Sequence, residues 1–235
     1  MWTQMAYLPW VQVPANGLVE VLKGMSWRRQ GQASAARDVA ALMIYVVLLF
    51  IRKDRTVNRV VLGIETNWTE YAADITYDGL VQATGLSRSL IRQGLERLEL
   101  LGLIRSSGSR QTRQYVFPQQ PGRWFKLPCR AVMTRDGVAA FKTFSLRSKH
   151  ELNAMKLYLY LADVRDRDKN HTEVSYEMIF KRLDIPERDI RRAINVLNAS
   201  GLLARVNRES DRLVSSWGPN QYFLKGYEDL QRATQ

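Results

Sequence analysis

Apolar residues along the chain gather into stretches separated by short polar breaks, the longest being "VAALMIYVVLLFI", the 13 residues from Val39 to Ile51. Within "SAARDVAALMIYVVLLFIRK" it is apolar nearly all round, which predicts a helix at the centre of a core. A bilayer span needs about 20 residues, so this stretch is too short to cross one. A later stretch, "SKHELNAMKLYLYLADVRDRD", sets Leu152, Met155, Leu157, Leu159 and Leu161 among polar positions and predicts a second long helix.

The same order of signals follows each long helix. A short β-like pair comes first, Ile75-Thr76 or Val174-Ser175, whose hydroxyl residue stands where a helix N-cap is wanted. A helix of about two turns then stops at "TGLS" (84–87) or "LDIP" (183–186), because glycine suits the left-handed position after a helix and proline the first turn of the next. The helix after that break buries Leu90 or Ile91, Leu95 and Leu98 in one case, and Ile190, Ile194 and Leu197 in the other. Polar, basic segments lead on to strands at "YVF" (115–117) and "YFL" (222–224).

These parallels are an internal repeat. Ile75–Arg105 lies over Val174–Ala204 at an offset of 99, matching Tyr77 to Tyr176, Ile91 to Ile190, Arg92 to Arg191 and Gly102 to Gly201. Upstream, Ile44–Arg55 lies over Leu157–Asp168 at 113, and "WVQVP" (10–14) over "WFKLP" (124–128) at 114. The fall from 113 to 99 gives the first copy 14 additional residues, near 56–70, readable equally as an added hairpin or as a dimer contact. The expected organisation is therefore two units, 1–123 and 124–235, mainly α with small β-hairpins in an α+β fold. Proline suits the end of an edge strand, so each Trp-Pro motif predicts an opening strand. Trp10 and Trp124 are read as aromatics anchoring those strands to the core in preference to base-stacking platforms, and Tyr77 and Tyr176 as packing residues with their hydroxyls at the surface.

Helix, helix-turn-helix and basic hairpin, in that order and twice over, resemble tandem winged helix-turn-helix proteins. That group includes replication initiators and replisome organisers of plasmids and phages, and some transcription regulators. The resemblance is carried by the Thr76-Tyr77 and Ser175-Tyr176 pairs, the Gly85-Leu86-Ser87 turn, the Leu95-x-x-Leu98-x-Leu100-Leu101-Gly102-Leu103-Ile104 helix ending and the basic hairpins. It implies a DNA-binding protein whose second helices enter the major groove while the wings touch phosphate or minor groove.

On that reading the first copy presents Ser87, Arg88, Ser89, Arg92, Gln93 and Glu96, and its wing Arg105, Arg110 and Arg113. Arginine pairs with guanine, glutamine with adenine, and serine donates to phosphate at a helix N-terminus. The second copy presents Glu187, Arg188, Asp189, Arg191, Arg192 and Asn195, with Arg205, Arg208 and Arg212 in its wing. Residues 87–113 hold six Arg and two Glu, whereas 186–212 hold six Arg and four acids, which favours the first copy for tight contact. Contact with roughly 6 to 10 phosphates would cost about 10³ to 10⁵ in affinity between low and moderate salt.

Overall charge agrees with a polyanionic partner: the chain is formally +12 with a pI near 10.0. Nothing at the N-terminus reads as a secretion signal and the single Cys129 suits a reducing compartment, so the expected location is cytoplasmic. His150, His171 and Cys129 match no zinc spacing, and nucleotide, nucleophile-elbow and metalloprotease motifs are absent. Glu96 and Glu99 read as a solvated helical pair. The expectation is thus a monomeric or homodimeric binder of double-stranded DNA, with replication or transcription proteins as further partners, no membrane association, no cofactor and no catalysis. A rival reading makes the second copy a protein-binding adaptor, supported by Glu187 and Asp189. Recognition of RNA is weaker, for want of an RNP-like aromatic run or a GxxG loop.

Overall fold

The computed structural model describes residues 8–27, 32–61, 64–108, 113–118, 122–207 and 219–232, and shows a mixed α+β fold with small sheets. The first half runs β1 (Trp10–Pro14), α1 (Leu18–Gly24), α2 (Gln32–Ile51), β2 (Lys53–Val61), β3 (Ile64–Asp74), α3 (Tyr77–Thr84), α4 (Arg88–Leu100), β4 (Arg105–Gly108) and β5 (Arg113–Phe117). The second runs β6 (Trp124–Pro128), β7 (Met133–Thr134), β8 (Gly137–Val138), a 3-10 turn at Ala139–Thr143, α5 (Lys149–Asp163), β9 (Thr172–Val174), α6 (Tyr176–Leu183), α7 (Glu187–Ser200), β10 (Leu203–Asn207), β11 (Asn220–Leu224) and α8 (Glu228–Arg232).

Local chemistry sets the helix boundaries. Thr76, Ser87 and Ser175 each accept a backbone N–H of the first turn, and Ser148 forms a reciprocal capping box with Glu151. Gly85 takes the left-handed conformation between α3 and α4, at φ +75°. Asp184 fills the same role between α6 and α7 at φ +55°, a conformation that Asp tolerates better than most side chains, and Pro186 stands at the N-cap one step before the first turn of α7.

At the centre α2, buried along its whole apolar run, packs against α5, while α4 packs on α2 and α7 on α5. The 14 additional residues of the first half fall in the long antiparallel pair β2–β3, which extends one sheet to the order β2-β3-β5-β4. The second half has the shorter order β10-β11-β9.

The repeated Trp-Pro segments meet each other. β1 and β6 form an antiparallel ribbon in the register Trp10↔Pro128, Gln12↔Lys126, Pro14↔Trp124. Since each strand meets its own equivalent reversed, the pairing is self-complementary about Gln12 and Lys126, as an isologous dimer contact would be. Neighbouring segments are exchanged accordingly. α1 of the first half packs on α6 of the second, and β8 with the 3-10 turn packs on α3 of the first. Gly137, at φ +97°, lies so close to α3 that an added Cβ would come within 2.3 Å of the Ala83 Cα. The 123/124 seam therefore divides the sequence, while the packing crosses it.

This arrangement corrects the reading of Trp124. Val11, Val13, Phe125 and Leu127 hold the ribbon to the core and Trp124 is 42% exposed, whereas Trp10, half-buried, packs against the core as expected. Alternation along a strand puts only one residue in two inward, and the aliphatic and phenylalanine positions take that side.

Candidate nucleic-acid interface

Each helix pair leaves one face of its second helix at the surface. On α4, Ile91, Gly94, Leu95 and Leu98 turn inward, while Ser87, Arg88, Ser89 and Arg92 are exposed and Gln93 is half-buried. Two contacts fix that orientation. A Cβ at Gly94 would lie 2.7 Å from Ile44 Cδ1 and 3.1 Å from the Ala41 nitrogen, so α4 rides directly on the backbone of α2. Arg97, on the inner flank, pairs with the buried carboxylate of Asp38 at 2.7 Å.

The Ser87 hydroxyl accepts the Leu90 N–H at 3.3 Å and so serves first as the cap. Arg88 pairs with Asp78, Arg92 with Glu96 at 2.9 Å, and the Gln93 amide donates to Ser89 Oγ at 3.2 Å. Both ion pairs are exposed, and pairs of that kind contribute at most about 1 kcal/mol, so a phosphate can displace either carboxylate. From β5, Arg113 donates to the Tyr77 hydroxyl at 3.0 Å with its guanidinium 5.1 Å from the ring centre. Arg105 is exposed on β4. Tyr77, Asp78, Arg88, Ser89, Arg92 and Arg113 line an open groove of about 720 Å³. Tyr77 thus couples β5 to α3, a role that its position in the sequence does not announce.

On α7, Arg188, Arg191, Arg192 and Asn195 are exposed. Asp189, expected on this face, is instead 3% exposed and pairs with Lys149 of α5 at 2.8 Å. It shares the inward stripe of Ala193 and Leu197, at helical spacings of four, and cannot repel a phosphate approaching from outside. Glu187 remains the exposed carboxylate of the first turn. His150 lies 3.4 Å from Arg192, and burial, reinforced by Lys149 and Arg192 against Asp189, holds its pKa below the ordinary histidine value. The neutral ring can then accept from Arg192. On β10 the Arg205 guanidinium sits 4.0 Å from the centre of the Phe223 ring of β11. Arg110, Arg208 and Arg212 lie outside the described residues.

With Asp189 buried, each helix pair keeps one exposed carboxylate on its first helix, Asp78 or Glu177, and the second helices keep Glu96 and Glu99 on α4 and Glu187 on α7. What both can do is hold a polyanion through guanidinium groups presented from a rigid helix. Among the described residues no group of three or more His, Cys, Asp or Glu could hold a metal ion. Cys129 is buried, and burial pushes its thiol up to about 12, far from a reactive thiolate. No helix among the described residues is long and apolar enough to cross a membrane. Comparison of the chain with protein-family models, curated proteins and solved structures finds no match.

Proposed function

We propose that this chain is a site-specific binder of double-stranded DNA built from two duplicated winged helix-turn-helix units, and that it initiates replication at an origin of a plasmid, phage or integrative element. The observation that carries DNA binding is the twofold recurrence of one arrangement. In each half the second helix of a pair buries an apolar stripe on a central helix and turns a row of arginines outward, beside a two-stranded wing that carries another. The charge of +12 supports the same partner.

On fold analogy, initiation is preferred to transcriptional regulation because one chain carries two heads, whereas a simple repressor gains its second by dimerising. The adaptor reading of the second half loses ground, since of the two acids that supported it only Glu187 faces outward.

Titration of the full chain on duplex DNA across salt concentrations, with Arg88→Ala/Arg92→Ala and separately Arg188→Ala/Arg191→Ala, tests the proposal. Each pair should weaken binding and lower the slope of log affinity against log salt by about 2, one for each phosphate no longer neutralised. Weakening by the first pair alone makes the second half an adaptor. Unchanged binding in both variants refutes DNA binding by these faces.

A further inference from the structure

The exposed face of the β1–β6 ribbon carries a second concentration of basic and aromatic groups, formed by residues the helix-turn-helix reading leaves unused. Trp10 and Trp124 stack with ring centres 6.1 Å apart and planes within 12° of parallel. The Lys126 ammonium lies 4.4 Å from the Trp10 ring centre, which covers part of Trp10, while Trp124 lines an open cleft of about 380 Å³ beside it. Lys126, Arg123, Arg165 and Arg167 line the same cleft, whose carboxylate, Asp163, is engaged by Arg123 at 2.7 Å. Arg165 is held in place by the carbonyls of Asp166, Arg167 and Lys169, so its charge stays where the loop puts it. Asp166 and Asp168 flank these arginines in sequence without lining the cleft. Partial burial first, then Arg165 and Arg167, pushes the Lys126 pKa down, while Asp166 and Asp168 act on Arg165 from outside the cleft.

We infer that this cleft binds single-stranded nucleic acid, with an unpaired base stacked on Trp124 and the flanking phosphates held by Lys126, Arg165 and Arg167. An indole at a cleft edge, needed neither by the ribbon's core side nor by its strand pairing, offers a π-face to any base, and the cations track the backbone. Duplex DNA does not fit this chemistry, because its bases are already stacked and paired. The site lies on the ribbon that joins the two halves, apart from both arginine helices, and the inference does not depend on whether those helices bind duplex.

Fluorescence anisotropy of a labelled ten-residue oligothymidylate with the full chain, run beside a labelled 20-bp duplex of arbitrary sequence, separates the possibilities. Trp124→Ala should weaken oligothymidylate binding about tenfold, the usual scale for losing one stacked base, and Trp124→Phe should recover most of it. Lys126→Ala/Arg167→Ala should lower the single-strand salt slope by about 1.4. Both sets should leave the duplex titration unchanged, while Arg88→Ala/Arg92→Ala should leave the oligothymidylate titration unchanged. The inference is overturned if the parent chain does not bind oligothymidylate, if neither cleft variant weakens it, or if the cleft variants weaken both nucleic acids equally. Failure of the duplex proposal would show instead as indifference of duplex binding to the arginine-helix variants.

Discussion

Lys156 ties the two halves together from inside. Its ammonium, on α5, donates to the Met25 carbonyl after α1 at 3.0 Å and to the Leu183 carbonyl at the end of α6 at 2.8 Å, and the residue is almost wholly buried. Burial, partly offset by Asp184 and Asp38, lowers its pKa from 10.5 to about 8. In the repeat its counterpart at an offset of 113 is Met43, also buried, so the first half fills the same place without a charge.

The consequence is a pH dependence of definite sign. Between pH 8 and 10.5 the unfolded chain holds the Lys156 proton and the folded chain releases it, so stability rises with pH through that window. With about 1.36 kcal/mol for each pKa unit, the rise between pH 7 and 9 is on the order of 1 kcal/mol. The window closes near pH 9, because burial raises the Cys129 pKa and the unfolded thiol then ionises first, which lowers stability. Urea unfolding at pH 7, 8 and 9 of the parent chain and of Lys156→Met measures the effect. Other titrating groups are common to both chains, so the difference between the two pH profiles isolates Lys156. The variant should lack that rise, so the cost of leaving two carbonyls without their donor, about 1 to 3 kcal/mol less what the added methionine packing returns, should show most fully at pH 9 and shrink by about 1 kcal/mol at pH 7. Parallel profiles for the two chains would refute the reasoning.

Three further outcomes follow from the packing. Gly94→Ala should lower stability by about 1 to 3 kcal/mol in thermal or urea unfolding, although alanine is the better helix former, because its methyl would meet Ile44 and the α2 backbone. Asp38→Ala should cost about 3 to 5 kcal/mol by the same measurements, since it leaves the nearly buried Arg97 guanidinium without its partner. Cys129 should resist a thiol reagent at neutral pH in the folded chain and react at an ordinary rate in urea.

What the sequence announces here is what neighbouring residues decide among themselves. Thr76, Ser87 and Ser175 cap the helices they precede, Gly85 takes the left-handed turn, and the stripes Ile91-Leu95-Leu98 and Ile190-Ile194-Leu197 are buried. The long-range partners are another matter. The two Trp-Pro motifs are visible as repeats, but nothing in either says that it pairs with the other, and α1 carries too short a pattern to stand out. Asp189 was legible in principle, since its spacing of four from Ala193 and eight from Leu197 places it on the inward stripe. Its charge argues for the surface, and the ion pair with Lys149, forty residues upstream, makes burial tolerable. The cleft beside Trp124 draws Lys126 and Arg167 from segments with no common pattern.

The self-complementary ribbon bears on how the proposed DNA contacts would be arranged. Equivalent strands paired about Gln12 and Lys126, with α1 and the 3-10 turn exchanged between halves, relate these parts as a twofold axis relates the subunits of a dimer. If the axis extends to the helix pairs, α4 and α7 meet DNA in opposite senses, and the matching half-sites run as an inverted pair. The two helices differ in their surface residues, however: Ser89, Arg92 and Gln93 on α4 correspond to Arg188, Arg191 and Arg192 on α7 at the same offset of 99. A dimer of identical chains reads a palindrome, because its two faces cannot diverge. A duplicated chain would be free of that constraint, and on the proposed function the arginines of α7, corresponding to the serine, arginine and glutamine of α4, would read half-sites inverted in direction and unlike in base sequence.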